Sequence, residues 1–164
     1  MDCFPDLLTR KNEMAHFTAS CWIVNPARDR VLMAYHNLYQ SWAWLGGHAD
    51  GEEDLLRVAL REANEESGIV GARPLRQEIF SLEILGVDGH VKRGRYVGTH
   101  LHLNVTYLLE ADDRLPLRSK ADENSAVRWI PAEEVLHEVS EPEMRVVYRK
   151  LMDRTRQLGE NPSK

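Results

Sequence analysis

Residues 47–69 read GHADGEEDLLRVALREANEESGI, and the middle of this stretch has the spacing of an amphipathic helix. At about 100° per residue, five small or aliphatic side chains fall within one arc of roughly 140°. They are Leu55, Leu56, Ala59, Leu60 and Ala63. Glu66 falls inside the edge of that arc, Glu62 just beyond it and Glu65 further round. The pattern predicts a helix with a row of carboxylates where its buried face meets its exposed face.

These three glutamates stand where a helix does not favour them. Gly68 is a natural left-handed stop, so the acids occupy the last turn, where the helix dipole disfavours each anion by roughly 0.3–1 kcal/mol. Like charges three or four residues apart also repel by about 0.2–0.5 kcal/mol per pair. A divalent cation would reverse both effects because it binds several carboxylate oxygens. The row therefore indicates a metal site, with a solvated acidic face as the alternative.

The spacing of the whole stretch resembles the Nudix box, GX5EX7REUXEEXGU, in which U is aliphatic. Gly47, Glu53 and the run REANEESGI from Arg61 to Ile69 match its pattern, with the small Ala63 at the first U. Agreement at so many positions is too extensive to be expected by chance. The resemblance implies an α+β fold, an α/β/α sandwich with a mixed sheet between helices. It also implies a hydrolase that uses Mg²⁺ or Mn²⁺ to cleave a diphosphate linkage in a nucleoside diphosphate derivative.

The resemblance also assigns roles to residues of the box. Carried over by position, Glu62 and Glu66 are the main metal ligands, Glu65 is a further ligand, and Gly46 offers its backbone carbonyl. Gly46 and Gly47 would let the backbone approach metal and phosphate closely, since glycine has no side chain.

The first turn of the helix needs an acceptor for its backbone N–H groups. Asp54 is the expected N-cap, with a capping box from Asp50 and Glu53 as the alternative. Glu53 and Arg61 are expected to brace the loop against the helix rather than to touch the substrate.

The general base is open between two positions. In some members of the family a glutamate of the box serves, which matches Glu62. In others the base comes from a loop after the sheet, where Glu123 is the candidate, with a solvated loop charge as the simpler interpretation of that residue.

Other polar residues are candidates for binding the substrate. His48 follows the glycine pair and could reach a phosphate, or it could be a solvated loop residue. Lys92, Arg93 and Arg95 form a basic cluster that could clamp phosphate oxygens, although solubility alone also explains such a cluster.

Two further pairs have a simpler interpretation beside a functional one. His100 and His102 share one face of a predicted strand and could bind a transition metal, but a polar strand face explains them as well. Trp42 and Trp44 point to one side of their strand, where one could stack on a base, although both fit an aromatic core.

Length and composition indicate one ordinary soluble domain over residues 1–164. The net charge of −5 gives no general attraction to nucleic acid polymers or anionic membranes, so a small nucleotide-type substrate is the expected partner. Cys3 and Cys21 lack zinc-ligand spacing and indicate free thiols in a reducing compartment. No apolar stretch reaches membrane-spanning length, and no signal peptide is recognisable, so we expect a cytoplasmic protein, either monomer or homodimer.

Periodicity and turn residues predict the remaining elements. The expected strands cover residues 17–24, 31–35, 41–45, 77–87, 100–109 and 127–130. The expected helices cover residues 4–14, a segment from Pro131 to Val139, and residues 142–158. A turn is expected at Gly46-Gly47 and a loop over residues 88–99.

Two functions compete with hydrolysis. One is a catalytically inactive Nudix-like domain that binds nucleotides or regulates, but such a domain has no need of three crowded acids. The other is the isomerase branch of the superfamily, which relies on a catalytic cysteine and an altered box. Neither Cys3 nor Cys21 is near the box in sequence, so hydrolysis is favoured, and the sequence leaves its substrate open.

Overall fold

The computed structural model describes residues 6–92, 94–122 and 124–160. Eight strands form one sheet: β1 (Ala15–Val24), β2 (Arg30–His36), β3 (Ser41–Ala43), β4 (Leu45–His48), β5 (Arg73–Pro74), β6 (Ser81–Val87), β9 (His100–Glu110) and β10 (Asn124–Pro131). Strands β7 (His90–Lys92) and β8 (Arg95–Val97) form a separate hairpin. The helices are α1 (Leu55–Ser67), α2 (Val135–Glu138) and α3 (Pro142–Glu160).

Strand β1 lies at the centre of the sheet and makes it mixed. It pairs in parallel with β9 over its full length, with His16 opposite His102. On its other side it pairs antiparallel with β4, where Thr18 faces His48, and then with β2. The β-branched and aromatic residues of β1 suit a strand that is covered on both faces.

Alternate residues of β1 enter two different cores, because successive side chains of a strand point to opposite faces. Ala19, Cys21 and Ile23 pack with Val58, Ala59 and Ala63 of α1. Trp22 and Val24 pack on the other face with Val135 of α2 and with Tyr148 and Leu151 of α3. The sheet therefore lies between helices, and the predicted α/β/α sandwich is confirmed.

Several local predictions were wrong. Gly46 and Gly47 lie inside β4 rather than in a turn, because the backbone there stays extended against β1. Residues 88–99 contain the β7–β8 hairpin, and no helix forms over the described residues 6–14. Pro131 ends β10 rather than opening a helix, and α2 begins four residues later. Among the described residues, no helix is long and apolar enough to cross a membrane.

Candidate active site

Helix α1 begins and ends where the sequence predicts. The Asp54 side chain accepts a hydrogen bond from the Arg57 backbone N–H, which makes Asp54 the N-cap. Gly68 adopts the left-handed conformation, and its N–H reaches the Asn64 carbonyl. These two ends fix the register of the glutamates on the helix.

The buried face of α1 is rotated from the predicted arc. Val58 is fully buried, whereas Leu55, Leu56 and Leu60 are only partly covered. Glu62 and Glu66 are 9% and 6% exposed, so they lie within the packed face rather than at its border.

The glycines of strand β4 leave space for these two carboxylates within the packed face. A Cβ built on Gly47 would lie 2.4 Å from the carboxyl carbon of Glu62, so the Glu62 carboxylate in its present position requires glycine there. The Gly46 N–H donates a 2.9 Å hydrogen bond to Glu66 Oε2. The glycine pair thus brings backbone, rather than side chains, against the glutamate row (Glu62, Glu65 and Glu66).

Arg61 joins the glutamate row to the end of strand β4, where the loop that leads into the helix begins. Its guanidinium lies 2.9 Å from Glu62 Oε1, 3.8 Å from Glu65 Oε1 and 3.5 Å from the His48 carbonyl oxygen. The last contact agrees with the bracing role expected for Arg61. Glu53 is exposed on the same loop.

Glu65 differs from the other two glutamates because its side chain remains 47% exposed. Besides Arg61, it lies 3.8 Å from the Lys120 ammonium. It can therefore turn towards a ligand that arrives from solvent, whereas Glu62 and Glu66 are held in place.

The carboxylate oxygens of the glutamate row are suitable ligands for a hard divalent cation. Mg²⁺ is typically held by one or two carboxylates and keeps several waters. Glu62 and Glu66 are one helical turn apart on the same face, and both carboxyl groups are held by neighbouring donors. Glu66 Oε1 also lies 3.5 Å from Asn124 Nδ2.

The thiol of Cys21 lies between the sheet and α1, and it is fully buried. Its sulfur donates to the Leu45 carbonyl at 3.3 Å. Burial raises the pKa of Cys21 well above its usual value, and the charges of Glu66 and Glu62 raise it further. The thiol therefore stays protonated, as a core residue would.

On the opposite face of the sheet, four histidines meet. The histidine cluster consists of His16 on β1, His48 on β4, and His100 and His102 on β9. The ring centroid of His16 lies 4.9–5.1 Å from those of the other three. The sequence pattern indicated only the pair on β9, because the other two residues are far away along the chain.

Three rings of the cluster, those of His16, His48 and His102, are held in the neutral form. Burial lowers the pKa of His48 to about 3 and that of His102 to about 4, and the charge of Arg10 and the neighbouring histidines lower them further. Burial also lowers the pKa of His16, partly offset by the hydrogen bond to the Asn12 carbonyl. Near neutral pH these rings therefore carry no charge.

A row of buried polar residues continues from the cluster along the same face. Thr18 and Ser20 both donate to Asn104 Oδ1, at 2.9 and 2.8 Å. Asn104 donates to Thr106, and Thr106 donates to Glu83.

Glu83 ends this polar row and pairs with Lys150 of α3, although its own side chain is only 5% exposed. Sequence reasoning missed both residues. Only the alternating polar residues of β9 indicated that this face is polar, and they do not show which residues of β6 and α3 oppose them.

The other residues that the sequence indicated as candidates lie as follows. Arg95 is exposed on the β7–β8 hairpin, outside the main sheet. Arg93 and Glu123 lie outside the described residues. Trp42 and Trp44 pack in the core beside Tyr35 and Tyr148, so the simpler interpretation of these two holds.

Comparison with known proteins gives the same fold. A hydrolase of the NUDIX family from Clostridium perfringens is 20% identical over 84% of this chain and 96% of its own, with a TM-score of 0.62. An Ap4A hydrolase from C. elegans is 19% identical over 82% and 93%, with a TM-score of 0.60. The Nudix hydrolase RenU from M. smegmatis is 18% identical over 87% of each chain, with a TM-score of 0.63.

A comparison with curated proteins gave no match. The family model for the NUDIX domain matches residues 14–151, a span that holds the glutamate row, the glycine pair and the whole sheet. The chain therefore belongs to the Nudix family.

Proposed function

We propose that this protein is a Mg²⁺- or Mn²⁺-dependent hydrolase that cleaves a diphosphate linkage in a nucleoside diphosphate derivative by attack of water on phosphorus. The observation that supports it best is the pair of buried carboxylates, Glu62 and Glu66, held against the backbone of Gly46 and Gly47. A bound divalent ion would supply positive charge to the diphosphate and make water more acidic.

In this proposal each residue of the row has its own task. Glu62 and Glu66 are the main metal ligands, Glu65 is a further ligand, and Gly46 contributes its carbonyl oxygen. Gly46 also orients Glu66 through its N–H, while Arg61 orients Glu62. Such fixed donors reduce the reorganisation needed when the substrate binds.

The general base is proposed to be Glu62 or Glu123, with Glu62 slightly favoured because the helix holds it rigidly. The neighbour of Glu123, Asn124, is buried and close to Glu66, so the loop candidate also merits a test. If Glu123 is the base, Glu123→Gln should lower kcat by about 100-fold with metal affinity intact. A wild-type rate in Glu123→Gln would leave Glu62 as the base.

The substrate side is proposed to include Gly47 next to the row, with Arg93 and Arg95 contacting phosphate oxygens. His48 can contribute there only through its backbone, because its ring points to the opposite face of the sheet. Because the chain carries a net charge of −5, binding should depend on the metal and on these local groups. A small nucleotide-type molecule is therefore the proposed partner, rather than a nucleic acid polymer.

A substrate panel tests the proposed reaction. Nucleoside triphosphates, ADP-ribose, dinucleoside polyphosphates, NADH and coenzyme A are compared with p-nitrophenyl phosphate, each with Mg²⁺ and with Mn²⁺. We expect cleavage of a diphosphate linkage, release of a nucleoside monophosphate or a phosphorylated partner, and no useful turnover of the monoester.

Glu66→Gln is the matched control for that panel, because it keeps the shape of the side chain and removes its charge. Preference for the monoester would contradict the mechanism. No turnover of any compound by a protein that binds metal would favour the nucleotide-binding domain instead.

A further inference from the structure

The histidine cluster brings together nitrogen atoms that suit a metal other than magnesium. One ring nitrogen from each of His16, His48 and His102 can be chosen so that all three lie within 4.8 Å of one another. His100 lies beside this set of three, with its Nε2 3.2 Å from Nε2 of His102. We propose that this cluster binds one divalent transition-metal ion, with Zn²⁺ as the best match, at a site separate from the glutamate row.

Backbone hydrogen bonds fix the tautomers of two rings, although Nε2 of His100 is already hydrogen-bonded to Nε2 of His102, a bond that a metal ion would have to replace. Nδ1 of His16 lies 3.0 Å from the Asn12 carbonyl oxygen, and Nδ1 of His100 lies 2.8 Å from that of Gly98. A carbonyl oxygen only accepts, so each Nδ1 carries the hydrogen and each Nε2 of the neutral ring has a lone pair. Histidines that bind metals usually donate their other N–H to a backbone carbonyl in this way.

His16 provides an independent reason to expect a ligand. The residue is only 4% exposed, and among the described residues its Nε2 has no hydrogen-bond partner. Leaving a buried acceptor unsatisfied costs about 1–3 kcal/mol. Ring contacts and the hydrogen bond between His100 and His102 explain why the four histidines pack together, but they do not satisfy Nε2 of His16, whereas a metal ion would.

The spacing of the nitrogens is close to what one ion requires. Two nitrogens bound to a tetrahedral Zn²⁺ at about 2.0–2.1 Å lie roughly 3.4 Å apart. Nε2 of His100 and Nε2 of His102 share a hydrogen bond of 3.2 Å, so these two nitrogens are already about as far apart as two ligands of one ion. The nitrogens of His16, His48 and His102 lie within 4.8 Å of one another, so they would have to approach by up to about 1.4 Å to bind one ion.

The chemistry of the ligands selects the class of metal. Imidazole nitrogens favour zinc, copper, nickel and iron, whereas Mg²⁺ prefers carboxylate and water oxygens. The cluster and the glutamate row would therefore bind different ions. A single bound ion would also connect β1, β4 and β9, since each strand contributes at least one histidine.

Calorimetric titration tests the site in the full-length protein. The protein is stripped with a chelator, dialysed and titrated with Zn²⁺ in excess Mg²⁺. We expect one equivalent to bind, and we expect His16→Gln and His102→Gln each to weaken binding by at least about 10-fold. The matched control is His137→Gln, because His137 is exposed on α2 outside the cluster.

The double variant Glu62→Gln/Glu66→Gln separates this site from the glutamate row, and it should keep its Zn²⁺ affinity. If instead this variant loses Zn²⁺ while His102→Gln keeps it, the ion belongs to the glutamate row and the proposal fails. Failure of the wild type to bind Zn²⁺ in excess Mg²⁺ overturns it as well.

X-ray absorption of the zinc-loaded wild type needs no variant and decides the case if a glutamine variant does not fold. Three or four imidazoles in the first coordination shell support the proposal. A shell that contains only oxygen ligands contradicts it.

Discussion

The glutamate row and the histidine cluster lie on opposite faces of the same short strand. Gly47 faces α1, where its missing side chain makes room for Glu62. The next residue, His48, points the other way and meets the histidines of β1 and β9. One strand thus separates a region rich in carboxylate oxygens from one rich in imidazole nitrogens.

The two regions differ in how the chain assembles them. The glutamates come from one helix, where a spacing of four residues places side chains on the same face. The histidines come from three strands and meet only because β1 pairs with β9 on one side and with β4 on the other. Changes to single residues should therefore affect the two regions in different ways.

The largest effect is expected for Glu66→Gln. The variant keeps the Gly46 contact in shape but removes a charge from the glutamate row, so we expect kcat to fall by at least about 100-fold and Mg²⁺ or Mn²⁺ affinity to weaken. The fold should be little changed, because repulsion with Glu62 is relieved. Calorimetry and steady-state kinetics measure both effects. Full turnover with wild-type metal affinity would refute the role of the row.

Gly47→Ala should have the next largest effect. The added Cβ would lie 2.4 Å from the Glu62 carboxyl carbon and displace that carboxylate, so we expect metal affinity and kcat to fall by about 10- to 100-fold. Gly86→Ala on β6 is the control, since no described heavy atom lies within 4 Å of a Cβ there. Equal kinetics in the two variants would show that Glu62 does not need this close contact.

Acid should destabilise the metal-free protein through the histidine cluster. The folded-state pKa values of His48 and His102, about 3 and about 4, lie below the value of about 6.5 for an unfolded histidine. The unfolded state therefore binds more protons as the pH falls through 6.5, and stability is lost progressively down to the folded-state values.

Between pH 7 and pH 5, each such histidine should lower the free energy of unfolding by about 1–2 kcal/mol. Urea unfolding at several pH values, with a chelator present, measures the slope of the free energy of unfolding against pH. His102→Gln should reduce the slope, whereas the exposed His137→Gln should not. Identical slopes in the wild type, His102→Gln and His137→Gln would show that acid does not destabilise the protein through the histidine cluster.

The smallest effect is expected for Arg95→Gln. Arg95 is exposed on the hairpin, where solvent screens its charge, so we expect KM to rise by no more than about three-fold with kcat unchanged. Initial rates over a range of substrate concentrations give KM and kcat separately. A large fall in kcat would place Arg95 much closer to the reaction than its exposure indicates.

The sequence predicted α1 well because its signals are local. Asp54 and Gly68 mark its ends, and the spacing of Glu62 and Glu66 places them on one face. The same reasoning placed these acids at the border of the buried face, since it could not foresee that a glycine backbone would pack against them. Which face of a helix is buried depends on its partner as well as on its own residues.

The histidine cluster could not be predicted because its members meet through strand pairing. The alternation of β9 identified His100 and His102, but His16 joins them only through the parallel register with β1. The partner of a parallel strand lies far away along the chain, so no local pattern reveals it. The same holds for Glu83 and Lys150, which meet across β6 and α3.

The buried thiol of Cys21 gives the protein an internal reporter of motion. Alkylating reagents attack the thiolate, and Cys21 is both fully enclosed and held protonated between α1 and the sheet. Any labelling of this residue must therefore pass through a state in which α1 has moved away from β1. Ions that bind the glutamates should slow that labelling. The rate of Cys21 alkylation therefore measures how often α1 separates from the sheet.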